Sequence, residues 1–287
     1  MPRLSEAETA EAFLAACRAE LAALKPGNVH VHAGGHGMEA HHFEVSAKAA
    51  APWIAVPRLQ VGERILRAVK ASFEAAGCNT NLGILLLSAP IAVAAQTDLA
   101  GSLRDRVRHV LAHLDMTDAA NVFEAIRHAS PGGLGAAPEQ DVAAAPTAGL
   151  IEAMTLAADR DRIARAYVSD LDEVFAFGLP TLDRVSALTD DPSLAVTTLH
   201  MAYLAEAPDS HIARKLGPDA AETLRCNAAR HRALWDPVAT PETFPALLAF
   251  DRNLKQRGLN PGTTADFVVA TLFAAAICSR LGSSGRA

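Results

Sequence analysis

The chain has 287 residues, of which 50% are hydrophobic, 20% charged and only 5% aromatic, and this composition excludes a disordered or low-complexity polymer. It carries 26 Lys and Arg against 32 Asp and Glu, so its net charge of −6 argues against a general nucleic-acid binder. Four well-separated cysteines give neither a disulfide framework nor a thiolate zinc site. We expect a cytoplasmic protein without a nucleic-acid partner.

The order of residues indicates helices along nearly the whole chain. Ala, Leu, Arg and Glu dominate, and the polar/apolar alternation of half-buried strands is almost absent. Ser5 and Glu8 form a capping box that begins a first helix, and residues 25–28 end it. Further helix starts are predicted at Thr117/Asp118, Asp191, Asp219 and Thr240. We therefore predict an all-α, multi-helix globular fold.

Connectors rich in Gly, Pro and Asn separate the helical segments, at residues 25–37, 77–83, 130–146, 208–218 and 258–264. The stretch 130–146 is the one plausible hinge, but it is short and mixed in composition, so we predict a single domain over residues 1–287. The longest nearly uncharged run, 82–95, is shorter than the roughly 20 apolar residues of a spanning helix. The first residues also lack a secretory pattern, and no membrane segment is expected.

A histidine-rich loop is the first candidate for chemistry. Five of the eleven histidines lie within residues 30–42, among them His30 and His32, together with three glycines and Glu39. Imidazole and carboxylate groups bind metals and carry protons, so we interpret the segment as a metal or nucleotide loop. The alternative is a solvated polar connector, and no defined zinc signature decides between the two.

The second candidate is the polar stretch 77–83, which precedes an apolar run. It places Asn79, Thr80 and Asn81 at a predicted helix N-terminus. Exposed backbone N–H groups and the helix dipole favour an anion there, although simple helix capping is the alternative.

The third candidate is the charged segment 209–215. His211 and Lys215 are four residues apart and share a helical face, with Asp209 and Arg214 beside them. Fixed cations next to a carboxylate suit a polyphosphate with its magnesium ion, and a solvated, charged helix end is the alternative.

The fourth candidate, residues 258–266, ends in the cap-like pattern Thr263-x-x-Asp266 before an apolar helix. Asp266 is predicted on the first turn, as an ordinary cap or as a group that ligates Mg²⁺ or accepts a proton. Because a helical core could bring these loops to one end, they predict a single phosphate and metal pocket.

Four motifs, taken together and in order, resemble the triphosphoribosyl-dephospho-CoA synthase family over about residues 10–280. They are Lys25-Pro26-Gly27, Asn79-Thr80-x-x-Gly83, Asp209-x-His211-x-x-Arg214-Lys215 and Asn260-Pro261-Gly262-x-x-Ala265-Asp266. The resemblance implies an all-α, cytoplasmic enzyme. Its activity would transfer the 5-triphosphoribosyl group of ATP to the 2′-hydroxyl of 3′-dephospho-CoA and release adenine.

The resemblance and the residue chemistry together imply a set of site residues. The expected metal is Mg²⁺, held by Asp209, Asp266 and Glu39. Glu39 or His211 is the expected base for the acceptor hydroxyl, and His30 or His32 the proton donor to the leaving base. The expected partners are a small nucleotide, a phosphorylated acceptor and a second copy in a homodimer. The expected nucleotide-binding residues are Lys25, Pro26, Gly27, Asn79, Thr80, Asn81, Gly83, Arg214, Lys215, Asn260 and Gly262.

One motif departs from the family pattern. At the positions of residues 79–83, synthases of the family usually have Asn-Thr-His-Lys-Gly. This chain has Asn81 and Leu82 in place of the His and the Lys. Residues 127–135 and 158–161 resemble a branch of the family from methylotrophs and methanogens. Two alternatives therefore stay open: a related transferase or ligase in the synthesis of a one-carbon coenzyme of the tetrahydromethanopterin or methanofuran type, and a non-catalytic nucleotide sensor.

Overall fold

The computed structural model describes residues 3–130 and 140–282, and the elements in these ranges confirm the all-α prediction. A π-helical turn spans Glu173–Gly178 and a 3-10 turn Arg232–Leu234, and no β-strand occurs in the described ranges. Residues 131–135 of the branch-like segment lie outside them. The α-helices are α1 Glu6–Ala22, α2 Ala40–Ala55, α3 Val61–Ala76, α4 Leu82–Gln96, α5 Leu103–Ala112, α6 Met116–Ala129, α7 Leu150–Ala157, α8 Arg162–Val168, α9 Leu179–Ser186, α10 Pro192–Glu206, α11 Ser210–Leu216, α12 Pro218–Arg230, α13 Phe244–Gln256 and α14 Gly262–Arg280.

Local capping chemistry fixes several helix starts. The capping box of Ser5 and Glu8 begins α1, and Asp191 caps α10 as predicted. The prediction at Thr240 is wrong by several residues, because Thr240 and Thr243 bond to each other in a turn before α13. The starts predicted at Thr117/Asp118 and Asp219 each lie within two residues of the observed ones.

The apolar helices α4 and α14 form the centre of the larger hydrophobic core. Phe273 of α14 meets Phe13 of α1 edge to face, with ring centroids 5.8 Å apart. By length and composition alone α14 could cross a membrane, but most of it is buried against the other helices. A smaller second cluster joins α10, α12 and α13. The single-domain boundary at 1–287 stays a prediction.

Two loops pack against each other beside these clusters and position the site. Gly27 has a φ of +87°, and a Cβ there would lie 2.8 Å from Cδ of Pro261. Its amide donates to Asp251 Oδ1 on α13 at 2.9 Å. The loop after α1 is therefore fixed against the loop that leads into α14, with no room for a larger residue at Gly27.

Candidate functional site

A cavity of about 940 Å³ lies where the predicted loops converge. Its wall includes the ends of α1, α4, α8, α11 and α14, whose segments are far apart in sequence. The predicted site residues in that wall are Asn79, Thr80, Gly83, His211, Arg214, Lys215, Asn260, Gly262 and Asp266. The convergence of the loops on one pocket is thus observed.

Lys25 is buried behind the cavity wall and is absent from the described lining. Its side chain is 1% exposed and its ammonium group forms an ion pair with Glu20 of α1. It also donates to the Val29 carbonyl at 2.7 Å and to Asn28 Oδ1 at 3.3 Å. Burial lowers the pKa of Lys25 and raises that of Glu20. All three donors of Lys25 are therefore used, and the group that reaches the cavity wall is Glu20.

The neighbouring residues of the motif also serve the fold. The Pro26 carbonyl contacts Nε2 of the buried His200 at 3.3 Å. The Gly27 carbonyl contacts Nε2 of His36 at 2.8 Å, and His36 itself lines the cavity. Pro26 and Gly27 thus shape the loop from behind the wall.

The residues predicted for proton transfer in the histidine-rich loop lie outside the wall. His30 is buried, and its Nε2 lies 3.3 Å from Asp251 Oδ2. His32 is exposed and packs edge to face on Phe244. Glu39 is exposed and caps α2. The high density of histidines in this loop could not by itself show which of them line the cavity.

Asp209 uses both carboxylate oxygens inside the protein. Oδ1 accepts from the amides of His211 at 2.9 Å and Ile212 at 3.1 Å. Oδ2 accepts from the amide and the hydroxyl of Thr264 at 2.7 and 2.9 Å. Asp209 is only 1% exposed and accepts four hydrogen bonds, which connect the start of α11 to α14.

The departure at residues 81 and 82 has a clear structural form. Asn81 is buried and donates to Ser72 Oγ at 3.0 Å, so it faces the core and not the cavity. Leu82 begins α4 and lines the cavity. Where the resembling family carries a lysine, this cavity wall is apolar.

Asp266 is one of the carboxylates that line the cavity, next to Gly83. Because α14 begins at Gly262, Asp266 is the fifth helical residue, which places it just beyond the predicted first turn and not at the N-cap. A Cβ at Gly83 would overlap its carboxylate, so only glycine allows this approach of α4 to α14. No donor among the described residues reaches the carboxylate. Burial, followed by the charges of Asp209 and Glu20, raises the pKa of Asp266 well above its usual value.

His211 and its neighbours supply the basic side of the wall. Burial and the charges of Lys215 and Arg214 lower the pKa of His211 to about 4, and its buried Nε2 has no hydrogen-bond partner in the described chain. Arg214 donates to Asp161 Oδ2 at 2.6 Å. Lys215 is exposed, and within residues 3–130 and 140–282 no ion pair involves it. The ring of His211 is therefore neutral near pH 7, next to one paired and one unpaired cation.

Several wall residues were missed by sequence reasoning. Glu20 of α1 and Asn28 of the loop that follows it line the cavity, and Asn28 donates to Asn260 Oδ1 at 2.9 Å. Asp161 caps α8 through the amide of Ile163 at 2.9 Å while it holds Arg214. Its position just before a helix was the available signal. Glu20 gave none, because it lies inside a regular helix.

The charge of the wall bears on the expected magnesium ion. Within the described parts of the chain, no three His, Cys, Asp or Glu side chains are placed to hold a metal by themselves. The described lining nevertheless has more carboxylates than Arg and Lys side chains. The carboxylates are Glu20, Asp141, Asp159, Asp161, Asp219, Glu222 and Asp266, and the Arg and Lys residues are Arg160, Arg162, Arg165, Arg214 and Lys215. This donor set suits a cation that arrives with a polyphosphate, since Mg²⁺ usually takes one or two carboxylates besides its phosphate ligands.

The fold and the cavity define an all-helical protein with a small-molecule-sized cavity between helix ends. The CitG family model, described as ATP:dephospho-CoA triphosphoribosyl transferase, matches residues 6–284. A crystal structure of an Archaeoglobus fulgidus protein, provisionally assigned as a triphosphoribosyl-dephospho-CoA synthase, is similar in fold. The TM-score is 0.61 at 28% identity, with 80% of this chain and 96% of that chain covered. No curated protein matches the chain.

The chain belongs to the ATP:dephospho-CoA triphosphoribosyl transferase family, and it is a transferase. The resemblance read from the four motifs is thereby confirmed.

Proposed function

We propose that this protein transfers the 5-triphosphoribosyl group of ATP to the 2′-hydroxyl of 3′-dephospho-CoA, with Mg²⁺, and releases adenine. The observation that carries the proposal is the convergence of separate polar loops on one cavity in a member of this family. In this reaction the hydroxyl oxygen bonds to the anomeric carbon of the ribose, the bond from that carbon to adenine breaks, and the proton lost by the hydroxyl balances the one taken up by the released adenine.

The triphosphate is assigned to the helix ends of the wall. Asn79, Thr80 and Asn260 offer neutral amide and hydroxyl groups there. The N-terminus of α4 adds backbone N–H groups and a favourable dipole. Arg214 and Lys215 of the wall would supply positive charge to the triphosphate. Lys25, by contrast, acts from behind the wall because it holds Glu20.

A magnesium ion bound with the triphosphate would neutralise part of its charge. Asp266 is the residue best placed to hold that ion, since its carboxylate lines the cavity without a donor of its own. Glu39 and Asp209, the other two predicted ligands, are an exposed cap and a fully bonded buried cap. We therefore keep Asp266 in this role and assign the other two to the fold.

His211 is the proposed proton acceptor for the attacking hydroxyl. Of the four residues predicted for proton transfer, it alone belongs to the described lining of the cavity. Its lowered pKa keeps the ring neutral, and Nε2 has no competing partner in the described chain. His30, His32 and Glu39 are left with structural roles in the loop.

The test is calorimetry with ATP and Mg²⁺, followed by mass spectrometry after 3′-dephospho-CoA is added. Binding followed by free adenine and a product heavier by one triphosphoribosyl group supports the proposal. Binding without adenine or product contradicts it and directs attention to the sensor alternative. No binding of ATP with Mg²⁺ also contradicts it.

A second candidate is the related transfer in one-carbon coenzyme synthesis. The observation in its favour is Leu82 in the cavity wall, which replaces a cation by an apolar side chain. Phosphorylated pterin and furan precursors, offered as acceptors in the same assay, distinguish it. The homodimer and the cytoplasmic location stay predictions.

A further inference from the structure

Helices α6 and α7 form an apolar part of the cavity wall. Phe123 and Ile126 of α6 are three residues apart and both line the cavity. On α7 the lining residues are Leu150, Ala153, Met154 and Ala157. These positions follow the i, i+3, i+4, i+7 spacing of one helical stripe.

Such a stripe normally packs on the core, but here part of it remains open. Ala153 and Ala157 are only partly buried, and Leu156, which also lines the cavity, is 44% exposed. The opposite face of α7 carries the exposed Glu152 and Thr155. An open apolar stripe in a cavity gains free energy only when an apolar or uncharged ligand covers it.

The size of the cavity leaves room for such a ligand beside the triphosphate. A volume of about 940 Å³ is near the upper end of small-molecule pockets, which run to roughly 1,000 Å³. Phe123 and Met154 are almost fully buried, so the open part of the stripe on α7 is formed by Ala153, Leu156 and Ala157. Phosphate and ribose gain nothing from these apolar groups, whereas the pantetheine arm of dephospho-CoA is uncharged and largely aliphatic between its two amides.

We propose that the apolar stripe of α6 and α7 binds the uncharged pantetheine arm of the acceptor and thereby selects acceptors that carry such an arm. This inference rests on the proposed function, because it names the acceptor subsite of that reaction. The charged loops then hold the donor, and the two substrates meet along the cavity between them.

The experiment compares 3′-dephospho-CoA with ADP, which has the same adenosine and diphosphate but lacks the arm. With ATP and Mg²⁺ saturating, product masses and kcat/KM are measured for each acceptor. We expect the wild-type protein to prefer dephospho-CoA by at least about tenfold. In Ala153→Glu the preference should fall towards one, while the Kd of ATP stays within about twofold. Ala157→Glu serves as the second variant.

Thr155→Glu is the matched control, since it adds the same charge to the exposed face of α7 and should keep the wild-type preference. The inference is overturned if wild-type protein shows no preference. It is also overturned if Ala153→Glu weakens the binding of ATP as much as that of the acceptor, because the stripe would then hold the adenine of the donor.

If neither acceptor gives product, the proposed function has failed, and calorimetry still decides the inference. Tighter binding of dephospho-CoA than of ADP, lost in Ala153→Glu and kept in Thr155→Glu, supports the arm subsite. Equal binding of the two compounds overturns it.

Discussion

Asp209 and Thr264 meet across 55 residues of sequence, where one carboxylate oxygen accepts from both the amide and the hydroxyl of the threonine at 2.7 and 2.9 Å. The bond joins the loop before α11 to the first turn of α14, and so fixes the relative position of His211 and Asp266. The carboxylate is thereby part of the framework of the site.

Asp209→Asn should therefore destabilise the protein by about 1–3 kcal/mol, because an amide cannot accept all four bonds. Urea denaturation measures this change, and the Kd of ATP with Mg²⁺ should shift much less than the stability. Thr264→Val, which removes only the hydroxyl, should cost about 1 kcal/mol. A large loss of Mg²⁺-dependent binding in Asp209→Asn at unchanged stability would show that the residue is a metal ligand instead.

Asp266→Asn should have the opposite pattern. Turnover should fall by about 100-fold or more, because the carboxylate proposed to hold the magnesium ion is lost. Stability should hold or rise. The pKa of Asp266 is raised in the folded protein, so its ionisation disfavours folding as pH increases above 3.8, and the gain from Asn should be larger at pH 8 than at pH 5.

Asp190→Asn, an exposed carboxylate outside the cavity, is the control for Asp266→Asn and should leave both turnover and stability near wild type. Urea denaturation at pH 5 and pH 8 gives the stability of each variant, and steady-state rates give its turnover. Retained turnover in Asp266→Asn would remove this residue from the site.

The segments that form the site could be predicted from the sequence, but the direction of several side chains could not. Gly, Pro and Asn mark the loops, and local caps such as Ser5 and Asp191 mark helix starts, because both act over three or four residues. The partners of Lys25 and Asp209 depend on how the chain turns after α1 and on a contact with α14. Glu20 could not be predicted as a wall residue for the same reason, because no local sequence pattern inside a regular helix indicates a cavity.

Substitution of Lys25 tests whether this residue stabilises the fold or contacts phosphate directly. Lys25→Met should destabilise the protein by about 3–5 kcal/mol, because it leaves Glu20 buried without its cation. The double variant with Glu20→Gln should recover much of that loss, because neither charge remains. The measurement is a double-mutant cycle by urea denaturation. Equal destabilisation in the single and double variants, with ATP affinity lost in both, would instead indicate a direct phosphate contact.

Lys215 should affect binding more than folding. It is an exposed cation of the described wall with no ion pair among the described residues, so Lys215→Gln should weaken ATP binding by about threefold to tenfold. The difference should shrink as salt rises, since exposed charges are screened. Lys48→Gln, on the outer surface of α2, is the matched control. Calorimetry at low and high ionic strength decides, and an effect independent of salt would count against a charge contact.

His200 predicts part of the acid sensitivity of the fold. Its side chain is fully buried behind Pro26, and burial lowers its pKa from 6.5 to about 3. Below pH 6.5 His200 therefore binds a proton in the unfolded chain but not in the folded chain, so the free energy of unfolding falls as the pH is lowered. Between pH 7.5 and pH 5 this group alone should cost about 1–2 kcal/mol. His200→Gln removes the titration, and its free energy of unfolding should fall by that much less over the same interval. Urea denaturation at both pH values measures the difference, and parallel losses in the two proteins would show that His200 is protonated in the folded state.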